Sequence, residues 1–276
     1  MKFVSTTAIG CTALGATLLV TAPAQGVTLT ESFDGGVFNT QTPTTNTDDD
    51  GAPTLVLEND ALTASIVSSG RGTILFDTPS DPAGPGDVVT QSVDFTVPGT
   101  NAGGDPFLFN VSRLGFIFGV TDPATSTLGP SDAVYAYMSE PSGDFAAPEF
   151  DVTAFDSVDG FLAGNDPATA GFSPLSGDTL YTMTSTATYL ANGDIDVDFT
   201  VTGGGVNIAY STSLDVPDGG GTVEGGTYNG IYFRNFNDDA EIIFDNYSLS
   251  IVPEPTSLAL IGTGALILAA RRRRVA

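Results

Sequence analysis

A run of eight residues near position 200 constrains the fold more than any other feature. In Asp194-Ile195-Asp196-Val197-Asp198-Phe199-Thr200-Val201, the apolar Ile195, Val197, Phe199 and Val201 alternate with three carboxylates and Thr200. That period of two belongs to an antiparallel strand with one wet face. Upstream, Thr179–Leu190 is rich in Thr and aromatic residues, as strands are. Asn192-Gly193 joins the two segments and signals a tight hairpin turn.

The same texture continues through the chain. Further strands are expected at Thr28–Phe33, Thr54–Glu58, Leu62–Val67, Thr73–Asp77, Val88–Val97 and Leu114–Val120. Others are expected at Ala133–Met138, Phe150–Phe155, Val206–Leu214, Thr227–Phe233 and Glu241–Ile251. Between them, 39–53, 78–86, 98–106 and 215–226 collect the Gly, Pro, Asn, Asp and Thr that turns demand. No amphipathic helical run stands out in the body, and neither an internal repeat nor a long linker divides it. About thirteen short strands over residues 27–252 therefore predict an all-β fold, one sandwich of two antiparallel sheets.

Charge narrows the function. The 276 residues hold 33 acids and 8 bases, with no His and no Trp. Lys2 and Arg271, Arg272, Arg273 and Arg274 lie at the two ends. Residues 27–252 thus carry 32 acids against Arg71, Arg113 and Arg234, a net charge of −29. Such a body repels phosphate backbones, which excludes sequence-independent nucleic-acid binding. Without His, the commonest general base and transition-metal ligand are missing. The single Cys11 excludes an internal disulfide or a thiolate zinc site.

Both ends read as addresses. Residues 1–26 combine Lys2, an apolar run from Ala8 to Val20 and the cleavage pattern Ala22-Pro23-Ala24, which is a helical signal peptide. Cys11 precedes most of that apolar run, so it leaves with the signal rather than anchoring a lipid. At the other end, Pro253-Glu254-Pro255 precedes thirteen largely apolar residues, Leu258–Ala270, and then four arginines. Thirteen helical residues span about 20 Å, short of a bilayer core of about 30 Å. The arginines should stay cytoplasmic and leave the acidic body outside.

Those three features in that order, over 253–276, resemble the PEP-CTERM sorting signal of exosortase substrates. The resemblance implies export across the inner membrane, transient anchoring by the C-terminal helix, and processing near Pro253-Glu254-Pro255. Release or attachment at the cell surface would follow. An ordinary tail anchor is the alternative. In the body, Glu31-Ser32-Phe33-Asp34, the central hairpin and Phe244-Asp245-Asn246-Tyr247-Ser248-Leu249 resemble a concanavalin A-like lectin/glucanase jelly roll. An immunoglobulin-like or other carbohydrate-module sandwich is the competing layout.

Glu149-Phe150-Asp151 resembles the first half of the laminarinase-type signature, but Thr153 and Ala154 stand where its second Glu belongs. Retaining hydrolysis needs paired carboxyls about 5–5.5 Å apart, and Asp156 lies on the other strand face. Trp, the usual sugar-stacking platform, is absent. No catalytic residue is assigned. Asp194, Asp196 and Asp198 mimic a calcium loop, but their apolar spacers make them a wet strand face. The better calcium candidates are Asp48, Asp49 and Asp50, or Asn235, Asn237, Asp238 and Asp239, with turn formation as the alternative. Arg234, between Phe233 and Phe236, suits a structural ion pair or a clamp on an acidic sugar. Gly203–Gly205 and Gly219–Gly221 lack the Lys and strand-to-helix setting of a phosphate loop.

The sequence therefore predicts an exported, exosortase-processed surface or matrix protein, non-catalytic and able to bind polysaccharide. A purely structural acidic envelope component is one alternative. A degenerate or unusual polysaccharide hydrolase is the other.

Overall fold

A computed structural model describes residues 26–38, 42–48, 54–66, 71–78, 84–99, 111–121, 133–139, 149–156, 160–164, 175–215, 226–235 and 240–253. Among these the structure is β throughout, apart from one 3-10 turn at Asp34–Gly36. The strands are β1 (Val27–Glu31), β2 (Thr44–Asp48), β3 (Thr54–Glu58), β4 (Ala61–Ile66) and β5 (Arg71–Asp77). They continue with β6 (Asp87–Thr96), β7 (Val111–Val120), β8 (Ala133–Ser139), β9 (Glu149–Asp156) and β10 (Gly160–Gly164). The series closes with β11 (Tyr181–Tyr189), β12 (Ile195–Gly203), β13 (Val206–Leu214), β14 (Tyr228–Asn235) and β15 (Ala240–Pro253). All lie within one compact unit, Gln25–Glu254.

The strands form two antiparallel sheets. The larger runs β13-β12-β11-β6-β15-β4-β3, and β1 also pairs with β15. The smaller runs β10-β9-β8-β7-β14-β5-β2. The long β15 serves three partners because its register against β6 shifts between Asp245 and Ser248. Its first half pairs with β4 through 240–244, and its second half pairs with β1 through 247–251. Asn246 absorbs the shift in a left-handed conformation, φ 51°, which Asn tolerates better than most residues.

The central hairpin follows from its alternation. Along β11 every second residue is buried, and in β12 Ile195, Val197, Phe199 and Val201 are buried while Asp196 and Asp198 face solvent. Gly193 holds φ 92° in the connecting turn, a left-handed value that glycine adopts freely. Strand β11 starts at Tyr181 rather than Thr179, because Asp178 is left-handed (φ 55°) and Leu180 turns outward, 60% exposed. Two strands, β2 and β10, appear where no strand was expected, making fifteen among the described residues. β2 occupies part of a segment whose Thr, Asn and Asp content reads as turn; pairing with β5 holds it extended.

One apolar core spans both sheets. Phe199 of β12 meets Phe150 of β9 edge-on at 4.6 Å, and Phe116 of β7 at 6.3 Å. Phe76 of β5 stacks on Tyr247 of β15 at 4.5 Å. A polar link also crosses this core. The hydroxyl of Tyr247 donates to Gln91 Oε1 (2.7 Å), and Gln91 Nε2 donates to the carbonyl of Ile117 (2.9 Å). Burial pushes the Tyr247 hydroxyl well above the usual tyrosine range, so it stays a neutral donor. Gln91→Leu should cost roughly 1–3 kcal/mol, because the Tyr247 hydroxyl loses its acceptor. Urea denaturation checks this, and adding Tyr247→Phe should recover part of the loss. Equal stability of Gln91→Leu and the native chain would contradict the link.

No helix among the described residues is long and apolar enough to cross a membrane. The signal-peptide segment and the apolar run 258–270 lie outside the described residues.

Candidate functional site

The seven-stranded sheet turns its second face away from the core, and that face is not an ordinary wet surface. Every residue of β8 is buried, so both of its sides are covered. Leu75, Ile117, Tyr135, Tyr137 and Tyr232 form a separate apolar cluster, with Tyr228 against it. Tyr232 lies edge-on to Tyr135 at 5.0 Å and tilted against Tyr137 at 5.5 Å. The ring contact is possible because Gly115 stands between them in register, Tyr232↔Gly115↔Tyr137. A Cβ at Gly115 would come within 2.1 Å of the Ala136 carbonyl oxygen.

Register also assembles the charges. One row across the sheet reads Asp48–Arg71–Arg234–Arg113–Ser139–Glu149, on β2, β5, β14, β7, β8 and β9. The three bases of the body thus occupy neighbouring positions on three adjacent strands. The next row on the same face reads Asn46–Thr73–Tyr232–Gly115–Tyr137–Asp151. The guanidinium carbon of Arg113 lies 4.9 Å from the centre of the Tyr137 ring, a cation–π contact. Burial disfavours the Arg113 charge, but Tyr137, Tyr232 and Asp151 outweigh it and hold its pKa above the ordinary value. Ser139 donates to Asp151 Oδ2 at 3.1 Å. Arg113 and Arg234 are partly exposed, while Tyr137 and Tyr232 form a nearly buried floor.

Of the residues marked from sequence, Glu149 and Asp151 fall in these two rows, opposite Ser139 and Tyr137. Thr153, the next residue of that face on β9, stands opposite Tyr135. Asp156 pairs with Gly160, one residue out of phase with them. Asp48 and Asn235 end β2 and β14, two strands separated by β5 and running in the same direction. Asp48 and Asn235 therefore lie at the same end of the sheet, beside the arginine row. Asp49, Asp50, Asn237, Asp238 and Asp239 lie outside the described residues. Among the described residues no group of three acidic, His or Cys side chains could hold a metal. Pro253 ends β15 opposite Asp87; Ala22, Ala24, Glu254, Pro255 and Arg271–Arg274 lie outside the described residues.

Sequence reasoning weighed Arg234 alone and missed the row. The scarcity of bases was visible, but which strands adjoin, and in what register, was not.

Residues 252–274 match the PEP-CTERM protein-sorting motif. The chain carries a PEP-CTERM sorting signal. The PEP-CTERM motif marks it as an exported substrate of an exosortase, and its first residues, Val252 and Pro253, are also the last of β15. The body is similar to lectin II from Ulex europaeus, at a TM-score of 0.51 and 9% identity, over 83% of this chain and 99% of that one. It is similar to the lectin UEA-II complexed with galactose, at a TM-score of 0.50 and 8% identity, with the same coverages of 83% and 99%. A lectin from Bauhinia forficata in complex with GalNAc gives a TM-score of 0.50 and 11% identity, covering 83% and 100%. At such identities the likeness shows the fold, a concanavalin A-like jelly roll. No curated protein matches the sequence.

Proposed function

We propose that this exosortase substrate is a non-catalytic cell-surface or extracellular-matrix protein whose jelly roll binds polysaccharide on the outer face of the seven-stranded sheet. The observation that carries this reading is the Tyr135, Tyr137 and Tyr232 cluster with Arg113 over it. The buried rings seat the partly exposed Arg113 guanidinium, which with the partly exposed Asp151 offers hydrogen bonds to sugar hydroxyls at the edge of the cluster. On β9 the positions of that face are Glu149, Asp151, Thr153 and Phe155, without the second glutamate that a retaining glycosidase of this layout needs.

A polysaccharide pull-down with the full chain in detergent tests the binding. Retention on at least one polysaccharide, weakened by Arg113→Gln in a variant whose melting shows it folded, is the expected result. No retention on any polysaccharide, in Ca²⁺ or chelator, would leave the purely structural envelope role. Turnover of a bound polymer abolished by Glu149→Gln would instead support the hydrolase.

Calcium at the loops that follow Asp48 and Asn235 belongs to the same reading, because hard oxygen donors on an anionic surface suit that ion. Thermal melts should then rise in millimolar Ca²⁺ relative to chelator. A native-state ligand at 100 times its Kd contributes about 2.7 kcal/mol. Superimposable melts would dismiss a tight site.

A further inference from the structure

We infer that the fold itself restrains exosortase processing. The first residues of the sorting motif are seated in the sheet, and the end of β15 has to leave β6 before the chain is processed. This rests on the exosortase assignment and is independent of the polysaccharide reading. The sorting motif occupies 252–274 and β15 runs Ala240–Pro253, so the two overlap at Val252 and Pro253. On β6, Val88 pairs with Val252 and Asp87 pairs with Pro253. No spacer separates the folded body from its address. An enzyme that acts within a short peptide motif has to surround that stretch of backbone. Backbone paired in a sheet is open to it only in the fraction of molecules that have opened locally.

The seat is firm on the β6 side. Asp87 closes the turn before that strand: its N–H donates to the carbonyl of Gly84 (2.9 Å), and its Oδ2 accepts from the N–H of Gly84 (2.7 Å). The Gly86 N–H donates to the carbonyl of Tyr189 on β11 (2.6 Å), which ties the same turn to the next strand. The other edge of β15 is occupied as well. Val27 of β1 pairs with Ile251, and a Cβ at Gly26 would come within 2.5 Å of the Ile251 carbonyl oxygen. The end of the strand is by contrast weak. Leu249 and Ile251 are buried, whereas Val252 is 50% exposed. Pro253 has no N–H and joins the ladder as an acceptor alone. Opening therefore starts at Pro253 and needs to go no further than Val252, so it frees the motif without unfolding the body.

The experiment follows pulse-labelled full-length chain in cells that contain the exosortase, as precursor converts to mature size. Two variants leave 252–274 intact. One inserts a Gly/Ser linker of about six residues between Ile251 and Val252, which lifts the motif off β6. The other, Val88→Gly, removes the side chain opposite Val252 and loosens the seat without lengthening the tether. The linker should speed conversion at least about threefold and Val88→Gly at least about twofold, each a modest rise in the open fraction. Melting of the purified chains confirms that the bodies are folded, and Asp87→Gly takes the place of Val88→Gly if the latter unfolds. Native rates in both variants would show that the motif is already accessible and overturn the inference. Acceleration by the linker alone would assign the effect to reach and overturn it too. Slower conversion with the linker would mean that β15 presents the motif rather than withholding it. A chain lacking 254–276 tests the assignment underneath: conversion at the native rate there would remove the exosortase, however the strand end is seated.

Discussion

Phe199→Ala should destabilise the body by about 3–5 kcal/mol, the range for deleting a fully buried phenylalanine. Phe199 has no exposed surface, and its ring spans the space between the sheets, against Phe150 at 4.6 Å and Phe116 at 6.3 Å. Those partners sit on β9 and β7 of the opposite sheet, so the contact joins the two layers rather than neighbours within one. Alanine would leave a cavity that β12, hydrogen-bonded to β11 on one side and β13 on the other, cannot close. For a domain of this size the loss corresponds to roughly 6–20 °C in Tm. Since domains are stable by about 5–15 kcal/mol in total, the variant should sit near the edge of folding. Asp196→Ala, three residues away on the exposed face of the same strand, should change stability by less than about 0.5 kcal/mol. Urea denaturation of both variants checks the pair. Similar losses at the two positions would contradict the assignment of faces in β12.

Removing residues 254–276 should abolish exosortase processing and change the final location, while leaving the melting of the body unaltered. The strand ends at Pro253, opposite Asp87, so a chain stopped there keeps every described pairing of β15. What is lost is the PEP-CTERM motif from Glu254 onward, with its apolar run and arginines. As a helix, thirteen apolar residues would span about 20 Å of a core of about 30 Å, the weak anchor that the proposed processing intermediate needs. The four arginines resist passage across the membrane and would hold that intermediate for cleavage. Fractionation of cells producing the full and truncated chains measures the outcome. Identical distribution and identical mature size would sink the sorting role. A fall in Tm on truncation would show that the tail also supports the body.

How far the sequence reached depended on the range of the interactions concerned. The hairpin of β11 and β12 was legible because both of its determinants are local. Alternation assigns the faces of Ile195–Val201, and Asn192-Gly193 pins the register. The sorting signal was legible for the same reason, since its parts follow one another along the chain. β2 was not legible: Thr44–Asp48 has the composition of a turn, and its strand state comes from pairing with β5. Likewise Phe33, read as the end of a strand, leaves extended geometry at φ 57° and is nevertheless fully buried.

The candidate site shows the division most clearly. The sequence by itself determined that residues 27–252 carry three bases in an acidic body, and that the body is built of short strands. Only the tertiary structure decided that Arg71, Arg234 and Arg113 occupy one row of the sheet, next to the row of Tyr232 and Tyr137. The physical reason is that side-chain alternation is a property of one strand, whereas neighbour and register are chosen among all strands by burial of the common core. Position 71 lies 163 residues from position 234, and nothing between them announces the pairing.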